Sequence, residues 1–278
     1  MKKSFSRQII ALLAIVLLFA LLSLIPMYLF NRPGVDPWRM SIAMMVIQDV
    51  GIFIIPAFVT ARIFNSGHTM QALMLNKLPG WSHLGMMLLI YIASMPMMNS
   101  IIEWNEGIRL PESMVGIEQW LRTQEDMALK ATELLMSMTS VGQLIIVILT
   151  VGVLTGLGEE LIFRGSIQRL MIENRVNIHV AIWVSAFIFS AMHMQFYGFV
   201  PRMLLGAFFG YLVVCSGSLW LPILAHALNN TVATVTYYQP ALENMPWFGI
   251  ATPSTTIIST VATLILLLCY IRHMRFTH

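Results

Sequence analysis

Two adjacent carboxylates and an arginine interrupt an apolar stretch of this chain, in the segment Gly156-Leu-Gly-Glu-Glu-Leu-Ile-Phe-Arg-Gly165. On a helix, Glu160 and Arg164 are four residues apart and can form an ion pair on one face. Glu159 lies about 100° round the helix from Glu160, so it points away from that cation. A carboxylate without a neighbouring cation can accept a proton from water, as a general base does. The alternative is a structural Glu-Arg pair with one bystander acid.

Two later apolar stretches each end in, or contain, a histidine that has a second candidate residue at the same four-residue spacing. Phe189 and His193 end the first, and His226 and Asn230 share one face of the second. An imidazole and an amide on one helix face can both donate hydrogen bonds into a cavity, which is what stabilises an oxyanion. The alternatives are a hydrogen-bonded core histidine at position 193 and polar groups that only join helices at positions 226 and 230.

The depths of these residues in a membrane are compatible with one another. If the turn Glu173–Asn177 lies at the cytoplasmic face, Glu159 and His193 lie roughly 21 and 24 Å deep, at about 1.5 Å per helical residue. Measured from the next inner turn, His226 and Asn230 lie roughly 12 and 18 Å deep. Ionisable groups inside a membrane normally face the bundle interior or a water-filled cavity. We therefore predict that the four residues line one hydrated site.

The elements that position these residues are predicted to be membrane helices. The chain of 278 residues is 58% hydrophobic and 10% charged, with a mean hydropathy of +0.77, whereas soluble domains have about 25% charged residues. We predict an all-α, polytopic integral membrane bundle of about eight transmembrane helices. The predicted spans are Gln8–Phe30, Met40–Ala61, His83–Ile102, Val141–Met171, Ile178–Met194, Phe199–Cys215, Leu219–Tyr238 and Ser254–Ile271.

Basic residues, which concentrate on the cytoplasmic side of membrane proteins, predict the orientation. With both termini in the cytoplasm, the basic residues on that side are Lys2, Lys3, Arg7, Arg62, Lys77, Arg164, Arg169, Arg175, Arg272 and Arg275. Fewer fall on the other side: Arg32, Arg39, Arg109, Arg122, Lys130 and Arg202. We therefore predict cytoplasmic termini, in a bacterial inner membrane. The net charge of +3 follows from this bias and does not indicate nucleic-acid binding, because no basic patch is interleaved with aromatic residues.

Two polar segments outside the spans are predicted to form amphipathic helices. The larger is the insert Glu103–Ser140, which is expected on the outer surface of the bundle or capping it. The smaller is Thr69–Lys77. Asp49, an acid inside the second span, is expected by default to hydrogen-bond within the bundle. The alternatives are a pair with a cavity residue and a cap on a re-entrant break near Gly51.

The three motifs together resemble those of a known family. Glu159-Glu160-x-x-x-Arg164, Phe189-x-x-x-His193 and His226-x-x-x-Asn230 follow one another in successive spans, over residues 142–238. This pattern resembles the CAAX-protease and bacteriocin-processing family of intramembrane peptidases, which includes the type II CAAX prenyl endopeptidases. The resemblance implies an all-helical peptidase with a conical internal cavity.

The resemblance also divides the chain and assigns roles. It implies a peptidase core at 141–238, preceded by N-terminal helices and the amphipathic segment at 1–140 and followed by a C-terminal helix at 239–278, in one continuous membrane domain. Glu159 would activate a water, His193 would orient or deprotonate it, and His226 with Asn230 would stabilise the oxyanion. The Glu-Arg ion pair would support the site structurally.

The cofactor and some partners stay open at this point. Glu159, His193 and His226 could hold Zn²⁺ with an open water position. The chain lacks H-E-x-x-H, the usual local zinc-peptidase motif, so a metal-free mechanism is equally consistent. The expected partners are a membrane-associated peptide or protein substrate and the lipid bilayer, and the oligomeric state is not indicated.

Two other classes of protein fit the buried polar groups. A proton-coupled transporter would use the same acids and imidazoles, but inverted repeats would then be expected, and the sequence shows none. A non-catalytic immunity or scaffold protein would carry the motifs without using them.

Overall fold

The computed structural model describes residues 5–30, 34–65, 67–245, 247–249 and 251–273, except the side chains of Phe30, Glu243 and His273. Within these ranges the chain folds into helices and turns with no strand, which confirms the all-α class. Four basic residues used to predict the orientation lie outside the described residues: Lys2, Lys3, Arg32 and Arg275.

Ten α-helical segments follow one another along the described chain. They are α1 (Phe5–Phe30), α2 (Pro37–Phe64), α3 (Thr69–Ala72), α4 (Trp81–Glu106), α5 (Val115–Leu135), α6 (Val141–Glu173), α7 (Ile178–Ala191), α8 (Phe199–Ser216), α9 (Trp220–Tyr238) and α10 (Pro253–His273). Six of them, α1, α2, α4, α6, α8 and α10, are long and apolar enough to cross a membrane. The other two predicted spans correspond to α7, a shorter apolar helix, and α9. The chain is a polytopic integral membrane protein.

Two of the long helices contain π-helical segments. One, Asp49–Ile54, lies in the middle of α2, and two lie in α6, at Ile148–Leu154 and Phe163–Gln168. Such segments occur frequently at functional sites, because the extra residue in the turn reorients the neighbouring side chains. The two π segments of α6 flank Thr155–Ile162, the α-helical stretch that carries both glutamates.

Glycines let this stretch of α6 approach its neighbours closely. A Cβ added to Gly156 would lie 3.2 Å from the backbone nitrogen of Ala227 in α9. A Cβ added to Gly158 would lie 3.2 Å from the Cβ of Phe53 in α2. The two glutamates are therefore carried on a segment held between α2 and α9.

The contact between α6 and α8 also depends on glycine. The Arg164 Nη2 donates to the carbonyl oxygen of Gly206 at 2.7 Å, and the Gln168 Nε2 donates to that of Gly210 at 3.1 Å. Both donors are one turn apart on α6, and both acceptors are one turn apart on α8. Because neither acceptor has a side chain, the polar groups of α6 reach the backbone of α8 directly.

Gly210→Ala should destabilise the bundle. The added Cβ would lie 2.8 Å from the Ile182 Cγ2 and 2.7 Å from the Gln168 Oε1, and overpacking of this kind typically costs about 1–3 kcal/mol. The matched control is Gly85→Ala in α4, where an added Cβ meets nothing within 4 Å. Thermal unfolding in detergent should show a lower melting temperature for the first variant only. Equal melting temperatures would show that the α6–α8 contact tolerates a side chain.

The polar insert forms α5, as its periodicity predicts. Trp38 in α2 anchors the end of α5 by donating its indole N–H to the carbonyl oxygen of Leu135 at 3.0 Å. On the surface of α5, the Arg122 guanidinium donates to the Glu118 carboxylate at 2.8 Å and lowers the pKa of that carboxyl. Ile117, Trp120 and Met127 are exposed, as expected for a helix that lies at the membrane surface.

The prediction of a helix over Thr69–Lys77 is wrong beyond Ala72. The chain after that residue packs on the turn between α8 and α9 instead. The backbone N–H of Leu219 donates to the Met74 carbonyl at 2.9 Å, and the Ser218 hydroxyl donates to the Lys77 carbonyl at 2.6 Å. These bonds satisfy backbone groups that a helix would otherwise pair internally.

Candidate active site

The structure brings the predicted catalytic acid and both imidazoles together. The Nε2 of His193 lies 3.9 Å from the Glu159 Oε1, and the Nε2 of His226 lies 3.5 Å from the Glu159 Oε2. Glu159 is carried by α6, His226 by α9, and His193 by the turn that follows α7. Each imidazole thus faces a different oxygen of one carboxylate.

Glu160 forms the ion pair that its spacing predicts. Its Oε1 accepts from the Arg164 Nη1 at 2.6 Å and from the Nδ1 of His226 at 2.9 Å. Glu160 and Arg164 are both fully buried, at 0% exposure, so the pair is shielded from water and the two charges compensate each other. Besides neutralising Arg164, Glu160 orients the imidazole of His226.

Aromatic side chains hold the imidazoles and the guanidinium in place. Phe189 meets the rings of His193 and His226 edge-on, with centroid separations of 5.1 and 5.9 Å. The His226 ring also stacks on Phe209 at 4.9 Å. The Arg164 guanidinium lies 4.8 Å from the Phe189 centroid, a cation–π distance. Phe189 therefore contacts both imidazoles and the guanidinium, which limits their rotation.

The hydrogen bonds of the imidazoles determine which nitrogen carries a proton. The Nδ1 of His193 lies 2.8 Å from the carbonyl oxygen of Phe189, which can only accept, so Nδ1 is the donor. The Nδ1 of His226 donates to the Glu160 carboxylate for the same reason. In the neutral form, each ring therefore presents the lone pair of Nε2 towards Glu159.

A cavity of about 840 Å³ connects this group to one end of the bundle. All four residues predicted to be catalytic line it. The lining continues to the exposed Glu106 at the end of α4 and to Glu125 in α5, so the cavity reaches the surface on the side of α5. The amide of Asn230 lies in the wall and donates one N–H to the carbonyl oxygen of Val151 at 2.9 Å.

Asp49 and Thr155 line the same cavity, and the sequence did not indicate this pair. Asp49 is 1% exposed, and its Oδ2 accepts from the Thr155 hydroxyl at 2.6 Å. One signal was available, since an acid inside a membrane span marks a functional position by default. Nothing in the spacing of the two residues indicated that they meet.

The carboxylate and the two imidazoles are also possible metal ligands. Among the described residues, no group of three or more His, Cys, Asp or Glu side chains has the spacing to hold a metal ion. In this structure, Glu159, His193 and His226 do not form such a group.

A carboxylate flanked by two imidazoles in a membrane cavity is a set of groups that can activate water for hydrolysis. Comparison with known families agrees: residues 141–232 match the family model described as Rce1-like, Type II CAAX prenyl endopeptidase Rce1-like. This match confirms the family resemblance of the three motifs and supports a CAAX-type intramembrane protease in general. Comparison with curated proteins and with solved structures found no match.

Proposed function

We propose that this protein is an intramembrane endopeptidase that hydrolyses peptide bonds of membrane-associated or lipidated peptides. The observation that carries the proposal is the convergence of two imidazole Nε2 atoms on the Glu159 carboxylate, at 3.9 and 3.5 Å, inside a cavity. The family match over residues 141–232 supports the same class of reaction.

The first step is activation of water between Glu159 and His193. Their 3.9 Å separation is too long for a direct hydrogen bond, and a water about 2.8 Å from each atom fits between them. The lone pair of the His193 Nε2 accepts one hydrogen of this water and orients it. Glu159 accepts the other proton as the oxygen attacks the peptide carbonyl carbon.

The second step is stabilisation and collapse of the tetrahedral intermediate. Asn230 can donate its second amide N–H to the oxyanion. His226 can add a second hydrogen bond from Nε2 only where its ring already carries both protons before the water attacks, whereas Asn230 donates in either case. Glu159 then returns its proton to the leaving nitrogen, which breaks the carbon–nitrogen bond and restores the carboxylate.

The cavity lining favours an apolar substrate that reaches the site from the side of α5. Methionine side chains, which adapt to irregular apolar ligands, contribute strongly to the lining: Met45, Met95, Met98 and Met136. If the termini are cytoplasmic in a bacterial inner membrane, as the basic residues predict, this side is the extracytoplasmic one. The substrate would then be cleaved from that face.

The test is cleavage of synthetic apolar peptides by the full chain in lipid vesicles. We expect products that mass spectrometry detects, at a rate that a zinc chelator changes by less than about twofold, because Glu159 and His193 activate water directly. The control is a known zinc peptidase in the same vesicles, which the chelator should inactivate.

Three outcomes would contradict parts of this proposal. Loss of cleavage with the chelator, restored by zinc, would overturn the metal-free mechanism but keep the peptidase. Uptake of peptide into the vesicles without cleavage would favour a transporter. A cellular phenotype that persists in Glu159→Gln, with no cleavage by the wild type, would favour a scaffold or immunity protein.

A further inference from the structure

Arg202 is a cation in the cavity wall that the proposed reaction does not use. It lies in the first turn of α8, on the side where the cavity opens. Among the described residues, it is the one lining residue with a permanent positive charge. The acids in the lining are Asp49, Glu106, Glu125 and Glu159. A cation placed in a membrane protein normally faces a partner or a pathway.

A glutamine bridges Arg202 and the acid Glu125. Its Nη2 donates to the Gln195 Oε1 at 2.9 Å, and the Gln195 Nε2 donates to the Glu125 Oε1 at 3.1 Å. The neutral amide thus stands between the guanidinium and the carboxylate. Within the described residues, the Arg202 Nη1 and the Glu125 Oε2 are both buried without a hydrogen-bond partner.

A buried guanidinium N–H without a protein partner is rare in proteins and needs an explanation, such as a ligand or a bound water. Planar guanidinium groups bind carboxylates best, because two parallel hydrogen bonds can form. Among the described lining residues, Arg202 is the one with a permanent positive charge, so it fixes where along the cavity an anion can lie. We infer that Arg202 binds a carboxylate of the peptide substrate, on the α5 side of the cleaved bond. This inference rests on the proposed function.

Two sources of carboxylate are chemically equivalent, and the test separates them. The full chain in phosphatidylcholine vesicles is given apolar peptides in matched pairs that differ in one carboxylate. One set compares aspartate with asparagine at internal positions, and the other compares a free C-terminus with a C-terminal amide. The wild type should cleave the carboxylate member of one set about 10- to 100-fold faster, the range for a hydrogen bond to a charged group. The set that responds identifies the source.

The variants test whether Arg202 causes the preference. Arg202→Gln should slow cleavage of the carboxylate member only, so the ratio of its rate to that of the neutral member should fall close to one. Arg202→Lys should retain part of the preference for the carboxylate member. Gln195→Glu should also lower the ratio, since a carboxylate at that position would pair with Arg202 directly. Arg122→Gln is the control. This cation packs at 4.4 Å over the lining residue Tyr197 but does not itself line the cavity, so its loss should leave the ratio unchanged.

Failure of this inference is distinguishable from failure of the proposed function. Equal cleavage of both members of every pair by the wild type would overturn the inference and leave the peptidase intact. An equal loss of cleavage rate on both peptides of a pair in Arg202→Gln would also overturn the inference, because Arg202 would then affect the reaction itself and not the choice of substrate. Absence of any cleavage by the wild type would overturn both.

Discussion

Glu159→Gln should lower the rate of peptide cleavage by roughly 10²–10⁴-fold, the usual contribution of a general base. The amide has the shape of the carboxylate but cannot accept the proton of the attacking water. The ion pair of Glu160 with Arg164 and the packing of α6 are not altered by the change, so the variant should fold normally. The measurement is the single-turnover rate on a peptide that the wild type cleaves.

The matched control for this variant is Glu173→Gln. Glu173 is the last residue of α6, and its half-exposed carboxylate accepts a hydrogen bond from Arg169 at 3.0 Å. This variant makes the same chemical change on the same helix but away from the cavity, so its cleavage rate should stay at the wild-type level. Undiminished cleavage by Glu159→Gln, or equal losses in the two variants, would exclude Glu159 as the base.

Arg164→Met should destabilise the fold by about 3–5 kcal/mol, the cost of leaving one member of a buried ion pair uncompensated. Arg164 is 0% exposed, and its loss removes both the 2.6 Å bond to Glu160 and the 2.7 Å bond to Gly206. The measurement is the free energy of unfolding in mixed detergent micelles. Arg169→Met is the control, with a smaller loss expected because its partner Glu173 is half-exposed.

A double variant separates the structural role of this pair from its role at the site. Glu160→Leu combined with Arg164→Met should recover much of the lost stability, since apolar replacement of a buried ion pair is often neutral or favourable. Cleavage should nevertheless stay impaired, because the Nδ1 of His226 loses the acceptor that orients it at 2.9 Å. Recovery of full activity together with stability would show that Glu160 does not position His226.

Features set by local periodicity could be predicted from the sequence. Apolar runs of about 20 residues located the spans because crossing the hydrocarbon core demands that length. The i,i+4 spacing correctly paired Glu160 with Arg164 because both lie on one helix. The amphipathic character of α5 was predicted for the same reason. In each case, the interacting residues are neighbours in the chain.

Contacts between helices could not be predicted, since they depend on how each helix is rotated against its neighbours. The Gly206 carbonyl that accepts the hydrogen bond from Arg164 lies 42 residues further along the chain. Thr155, which donates to Asp49, is separated from it by 106 residues in sequence. The spacer role of Gln195 requires α5 and α8 to meet at one point. The residues after Ala72 leave the helical path because tertiary hydrogen bonds to the α8–α9 turn replace local ones.

The most direct test of this account is the energetic coupling between Glu159 and His193 in cleavage of one peptide. Both residues are assigned to the same water, so replacing either one should remove most of the rate enhancement that the other provides. We expect the double variant, Glu159→Gln combined with His193→Gln, to cleave the peptide no more slowly than the slower of the two single variants. If instead the two losses multiply in the double variant, the residues act independently, and a shared water between them is contradicted.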